Sequence, residues 1–482
     1  MLEEKNKTGI VSSLIWKFAE RVCAQLVSLV VSIILARILL PTTYGMISMV
    51  TVFISIADVF VISGLGTSLI QKKDADEVDY SSVFYANMVL SLILYGGLFI
   101  LAPLIADFYG YRILSPVIRV MGLRIIIAAA NSVQSAYVSK HMMFRLYFWA
   151  TLFGTLLSGV VGIVLAYEGA GVWALVAQYL TNSCVDTIVL FFTVKWKPKA
   201  IFSWKRVKEL VSYGWKILFE ALSQTLVSQL RNLIVGKVYT SEELAYYTKG
   251  QQFPNLLMTN ICSSISSVLF PAMSNINDDH KKVKMLMRQS VRMFSYILFP
   301  MLIGMAIIAK PFVILVLTEK WVGAVPYLKL FCIYLLLQVG MHPRHEAMKA
   351  IGRSDVYMNE HVLFRAIDIL LLIFVLKKGT MAILISSIIS EGVLTGILAY
   401  TSKKYTGYDY KEQMIDIKNP ILLTIIMYVL ASLVACIPVH QYLVMIIQIL
   451  ISALVYITLS VLLKVPEFGI ALSMVRKILK RG

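Results

Sequence analysis

Runs of about twenty mostly apolar residues recur along the whole chain, and this repetition restricts the fold more than any other feature. A helix of that length covers the ~30 Å hydrocarbon core of a bilayer and bonds its backbone polar groups internally. The runs fall near 18–39, 44–66, 81–106, 115–138, 147–167, 171–194 and 211–237. They continue near 248–270, 293–317, 325–347, 356–376, 380–401, 419–437 and 441–463, those at 211–237 and 248–270 being the most polar. Of 482 residues, 59% are hydrophobic and 15% charged. A soluble domain carries roughly a quarter charged residues, so too little charge is available here to coat a water-facing surface. The expectation is an all-α polytopic membrane protein with about 14 transmembrane helices. The first run lacks a small-residue cleavage site and is expected to stay as an uncleaved span.

The net charge of +18 would suit nucleic acid if the bases were clustered, but they sit in short tracts between apolar runs. Fourteen spans put both termini on one side, and tracts on that side hold 28 Lys and Arg against five opposite. By the positive-inside rule both termini are expected in the cytoplasm. Two basic stretches, 195–210 with Trp196 and Trp204 and the tail 464–482, are expected to lie in the headgroup region. The five cysteines are scattered in apolar segments without metal or redox spacing.

Offsetting the chain by 200 residues aligns 11–37 with 211–237 without a gap. Val11/Val211, Ser12/Ser212, Glu20/Glu220, Leu26/Leu226, Val27/Val227, Ser28/Ser228 and Ile34/Ile234 are identical, and Arg37 matches Lys237 in charge. The offset predicts two six-helix lobes around a central cavity plus two extra C-terminal helices: 1–200, 201–402, and 403–482 with its basic tail. Chance similarity of two first helices is the alternative. Parallel repeats of this kind form a recurrent transporter plan.

Four segments carry a resemblance: Ala36-Arg-Ile-Leu-Leu-Pro-Thr-Thr-Tyr-Gly45, Gly64-Leu-Gly-Thr-Ser-Leu-Ile-Gln71, Leu269-Phe-Pro-Ala-Met-Ser274 and the stretch from Pro311 to Pro326 that contains Glu319-Lys-Trp-Val-Gly-Ala-Val-Pro326. In that order, on this frame, the chain resembles the polysaccharide exporter and lipid-linked oligosaccharide flippase family (Wzx-type) of the multidrug/oligosaccharidyl-lipid/polysaccharide exporter superfamily. The resemblance covers the chain to about residue 350. It implies a non-enzymatic flippase of undecaprenyl-pyrophosphate-linked oligosaccharide repeat units, working by alternating access in a bacterial inner membrane. Such proteins serve O-antigen, capsule or exopolysaccharide assembly. The implied partners are the lipid-linked glycan, membrane lipids and the glycan polymerase or assembly machinery, with no nucleic acid.

Ionisable residues within spans are expensive and usually functional. Arg37, Arg119, Arg124, Arg231, Lys237 and Lys249 fall in or near the outer halves of spans, and are expected to hold the pyrophosphate in the cavity. Arg matches phosphate through its planar fork of donors; snorkelling to the outer surface is the alternative for Arg37, Lys237 and Lys249. Gln224, Gln229, Asn232, Gln252 and Asn255 offer a polar wall to sugar hydroxyls, or else bond neighbouring helices. Asp58, Asp186, Glu220 and Glu391 are candidates to carry a coupling H⁺ or Na⁺, no other cofactor or metal being indicated. Asp186 bonding Asn182, and Glu220 bonding Gln224, are the plainer alternatives. His342, Arg344, His345 and Glu346 read as an interfacial polar cluster. The competing function is an ion-coupled multidrug extruder on the same fold, which would favour an acidic, aromatic cavity.

Overall fold

The computed structural model describes residues 23–479 apart from 64, 73, 275, 277, 278 and 437–439. Glu20 and the repeat positions Val11 and Ser12 lie outside the described residues. Every regular element among the described residues is helical. Ten stretches are long and apolar enough to cross a membrane by length and composition. They are Pro41–Gln71, Glu77–Tyr109, Leu114–Lys140, Phe144–Tyr167, Val172–Thr193, His280–Ile307, Glu319–Ala350, Thr380–Thr406, Tyr410–Leu433 and Gln441–Leu462. The runs at 211–237, 248–270 and 356–376 are helical as well but are not among these ten.

The chain divides into two compact units, Met1–Ala245 and Tyr246–Gly482. The first holds α1 (Cys23–Ile38), α2 (Pro41–Ile62), α3 (Leu65–Gln71), α4 (Glu77–Tyr109), α5 (Leu114–Met121), α6 (Leu123–Lys140), α7 (Phe144–Tyr167), α8 (Val172–Thr193) and α9 (Trp204–Val238). Pro41 starts α2, where its missing N–H leaves no helical bond unmade. Helix α4 opens on a reciprocal capping box between Asp76 and Asp79 and closes on Gly110 in the left-handed conformation. Small residues Ala150, Gly154, Ser158, Gly162 and Ala166 recur every fourth position of α7 and are all buried. They form the seam against α8: a Cβ on Gly154 would overlap the Asp186 carboxylate, and one on Gly162 would press on Gln178. Close backbone approach through small residues is how helices associate where lipid supplies no hydrophobic drive.

The division falls within α10 (Ser241–Ser274). The second unit continues with α11 (His280–Ile307), α12 (Ala309–Leu317), a 3₁₀ turn (Glu319–Ala324), α13 (Val325–Gln338) and α14 (Met341–Ala350). It ends with α15 (Ser354–Val375), α16 (Thr380–Thr406), α17 (Tyr410–Leu433), α18 (Gln441–Leu462) and α19 (Pro466–Leu479). Helix α17 opens on a second capping box, Asp409 with Glu412. Trp321, in the resembling segment that ends at Pro326, is fully buried, and Tyr246 packs its ring on Gly323.

Candidate functional site

The expected phosphate-binding residues of the first unit do not stand alone. Arg124 on α6 pairs with Asp58 on α2 at 3.4 Å, with both side chains largely shielded. The second carboxylate oxygen of Asp58 is buried without a hydrogen bond. Arg119 on α5 donates from Nε to the Phe99 carbonyl of α4 at 3.4 Å, and its guanidinium sits 4.5 Å from the Phe99 ring centre. Lys237, at the end of α9, is exposed; it donates to the Phe108 carbonyl and lies 4.5 Å from that ring's centre. Arg37, at the end of α1, is exposed too, whereas Arg231 on α9 is half-buried. Lys249 belongs to the second unit, buried, with Nζ 3.0 Å from Gln252 Oε1 and 5.8 Å from the Trp321 ring centre.

Among the amides, Gln229 accepts from Asn232 at 3.0 Å, Asn255 is half-buried and Gln224 is exposed. Of the acids, Glu220 is exposed on α9 and Glu391 is buried on α16. Asp186 is half-buried against Gly154 in the α7–α8 seam.

Both units anchor their basic-loop ends through acids near helix starts. In the first, Lys72 bonds Asp79 at 2.7 Å, Arg206 reaches Asp76 at 3.3 Å, and Lys199 pairs with Glu77. In the second, buried Asp416 takes Arg288 in a two-point contact of 2.8 and 2.9 Å, together with Arg292 and the Tyr408 hydroxyl. Burial and the Asp416 charge push the Tyr408 phenol well above its ordinary value.

A cavity of about 910 Å³ runs through the second unit. Residues of α11, α13, α14 and α17 line it, those of α11 and α17 in stripes at helical spacing. Helix α11 gives Val291, Ser295, Phe299 and Ile303; α13 and α14 give Ile333, Leu337, Gly340 and Arg344; α17 gives Gln413, Ile417, Ile421, Thr424, Tyr428 and Ser432. The lining is chiefly apolar, with its charge at Arg344 and Lys329. Arg344 is 4% exposed, so the cluster read as interfacial is buried at this residue; the opening turn of α17 covers it, and Nη2 bonds Gln413. The sequence signal for the groove was available in α17: lining positions four, four, three, four and four apart mark one continuous face.

These features define a class: an all-helical, multi-pass membrane protein with the fold of lipid II flippase MurJ. A solved inward-closed structure of that flippase superposes with a TM-score of 0.74 at 16% identity, over 93% of this chain and 98% of that one. The chain belongs to the polysaccharide biosynthesis protein family, whose profile matches residues 34–326. It is 25% identical over 351 residues to the teichuronic acid biosynthesis protein TuaB of Bacillus subtilis (strain 168), covering 72% of each chain. It is 23% identical over 397 residues to the lipopolysaccharide biosynthesis protein WzxC of Escherichia coli (strain K12), covering 81% of this chain and 80% of that one. The proteins it resembles are named for lipid II flipping and for teichuronic acid and lipopolysaccharide biosynthesis.

Proposed function

We propose that the protein flips undecaprenyl-pyrophosphate-linked oligosaccharide repeat units across a bacterial inner membrane for O-antigen, capsule or exopolysaccharide assembly. In this reading fourteen helices span the bilayer with both termini cytoplasmic, and transport proceeds by alternating access. The observation that carries it is the Arg124–Asp58 pair, a charged couple kept inside the predicted spans of a polysaccharide-family chain. A multiply charged headgroup crosses hydrocarbon only if donors replace its water. Arg124 is held in place by an acid that also limits its desolvation cost, and it is poised to exchange one anionic partner for another. Arg119 and Arg231 add guanidinium groups within the same unit. The amides of α9 and α10 suit the sugar hydroxyls.

The test is glycan assembly in cells lacking their own flippase, with lipid-linked repeat units counted on each membrane face. Arg119→Ala, Arg124→Ala and Arg231→Ala combined should abolish translocation while the protein remains inserted. Wild-type transport by that triple variant overturns the role given to the arginines. Transport that ignores imposed H⁺ and Na⁺ gradients in proteoliposomes removes the coupling role of Asp58, Asp186, Glu220 and Glu391.

A further inference from the structure

Three acids and three bases offset one another at the basic-loop end of the first unit. Asp79 pairs with Lys72 at 2.7 Å, Asp76 with Arg206 at 3.3 Å, and Glu77 with Lys199. Two lysines beside them are left over. Lys140, which closes α6, donates to the Lys72 carbonyl at 2.5 Å, a neutral acceptor. Lys195, just past α8, is exposed and makes no ion pair among the described residues. Both border one pocket of about 600 Å³, together with His141, Tyr80, Tyr137 and Trp196. That volume lies within the ~300–1,000 Å³ typical of pockets that take small molecules.

The wall of this pocket is held in place by bonds that leave the two lysine tips out. Loop 195–203 is tied to α4: Ser81 Oγ accepts the Lys199 N–H at 3.1 Å and Ser82 Oγ accepts the Ser203 N–H at 2.9 Å, both serines being fully buried. The Trp196 ring lies 5.7 Å from that of Tyr80, which lies 5.5 Å from Tyr137. The His141 ring sits 4.1 Å from Tyr137, and its Nδ1 donates to the Tyr137 carbonyl at 2.8 Å, which leaves Nε2 for another partner. A wall already ordered loses little freedom when a ligand arrives. It is also short of acceptors, since Trp196 Nε1 and the Tyr80 hydroxyl are buried and bond none among the described residues.

We propose that this pocket is a phosphate-binding site, separate from the arginines given to transport, in which Lys140 and Lys195 hold the anion and the aromatic wall backs the group esterified to it. Two ammonium groups from different elements suit an anion that offers several oxygens, and each makes a charge-assisted bond to it. A lone halide would leave most of the space unused. Ala75 is the one purely aliphatic residue among the described lining, so an acyl chain finds no surface here and only a headgroup enters. The phosphate can come from a lipid of the inner leaflet, because basic pockets at the cytoplasmic ends of spans take anionic headgroups. A soluble phosphate ester presents the same chemistry.

The experiment adds dioleoyl phosphatidylglycerol or glycerol 3-phosphate to the full-length protein in detergent and counts bound molecules by native mass spectrometry. Wild type should hold at least one of them about tenfold or more tightly than the Lys140→Met/Lys195→Met variant does, the factor expected from losing a charge-assisted hydrogen bond. Lysine-dependent binding confined to phosphatidylglycerol assigns the phosphate to a lipid; its extension to glycerol 3-phosphate shows that chains are not needed and assigns a soluble ester. Lys195→Glu reverses a charge at an exposed position, and should weaken binding more than Lys195→Met does while the melting midpoint stays unchanged. Lys403→Met/Lys404→Met removes two exposed charges from the second unit and should leave binding unaltered. Undiminished binding by Lys140→Met/Lys195→Met, or an equal loss in the Lys403→Met/Lys404→Met control, overturns the site. Either result leaves the transport reading untouched, since none of these lysines belongs to it.

Discussion

Arg124 and Asp58 meet at 3.4 Å across α6 and α2, which joins a residue expected to bind phosphate to one expected to carry an ion. The pairing makes the two roles interdependent, because whatever draws the guanidinium away leaves the carboxylate in a poorly hydrated setting. Arg124→Gln alone should lower both thermal stability and transport, since Asp58 then keeps a buried, uncompensated charge. Adding Asp58→Asn should recover the stability, with a coupling of about 1–2 kcal/mol in a double-mutant cycle. Transport should stay lost in the double variant if Arg124 receives the substrate. Recovery of both would reduce the pair to a structural contact.

Gly45, the last residue of the first resembling segment, touches backbone. A Cβ there would overlap the carbonyl of Ser241, which is buried at the start of α10. A peptide carbonyl cannot rotate aside as a side-chain tip can, so Gly45→Ala forces the helices apart. The expected loss is about 2–3 kcal/mol, the upper range for overpacking. Fluorescence-detected size-exclusion melts of the detergent-solubilised protein would show it as a lowered midpoint. Gly304→Ala, where nothing lies within contact distance of the added methyl, serves as the neutral control.

Ten long apolar helices were readable because apolar length is a local property, and the family was readable because segments such as 36–45 keep their order. Gly45 and Pro41 also have local reasons, a close backbone approach and a helix start. Partnerships were not readable. Asp58 and Arg124 are distant in sequence, and only the packing of α2 on α6 joins them. Arg288 and Arg292 counted as orientation charges, yet they are the counter-ions of Asp416 on another span. Arg344 reads as interfacial because His342, His345 and Glu346 flank it; its burial is imposed by α17. Depth along a helix can be read from sequence, but the direction a side chain faces is fixed by neighbours distant in sequence.

Asp76 gives a pH prediction outside the spans. The Asp79 backbone N–H that it accepts, then the Arg206 charge, hold its carboxyl below the usual range. A depressed folded-state value means the stabilisation is present above the unfolded value of about 4 and is lost as pH falls through the lower, folded one. Asp76→Ala should therefore melt earlier than wild type at neutral pH, and the gap should close on acidification below about pH 4. The group is well exposed, so the effect should stay below about 1 kcal/mol. A gap that persists unchanged at low pH would assign it to helix capping by the neutral acid.

Asp416 is the opposite case, a buried carboxylate with three partners. It accepts from Arg288 and Arg292 of α11 and from the hydroxyl of Tyr408, and so fixes the start of α17 against α11 at the head of the groove. Asp416→Ala would remove the acid that the two guanidinium groups share, leaving Arg288 with Glu412 at 3.2 Å and Arg292 with Glu467 at 4.0 Å. Breaking a fully buried pair costs about 3–5 kcal/mol. Both arginines are partly exposed, so a loss of about 2 kcal/mol is expected. Asp416→Asn keeps the shape and one acceptor oxygen, and should fall between the two. Because Gln413 lies one turn earlier on the same helix, Asp416→Ala should also loosen the Arg344–Gln413 contact. Hydrogen exchange would then quicken at the first two turns of α17 ahead of the rest of the helix. Uniform exchange along α17, with an unchanged melting midpoint, would show that packing alone seats this helix and that the charges are incidental to it.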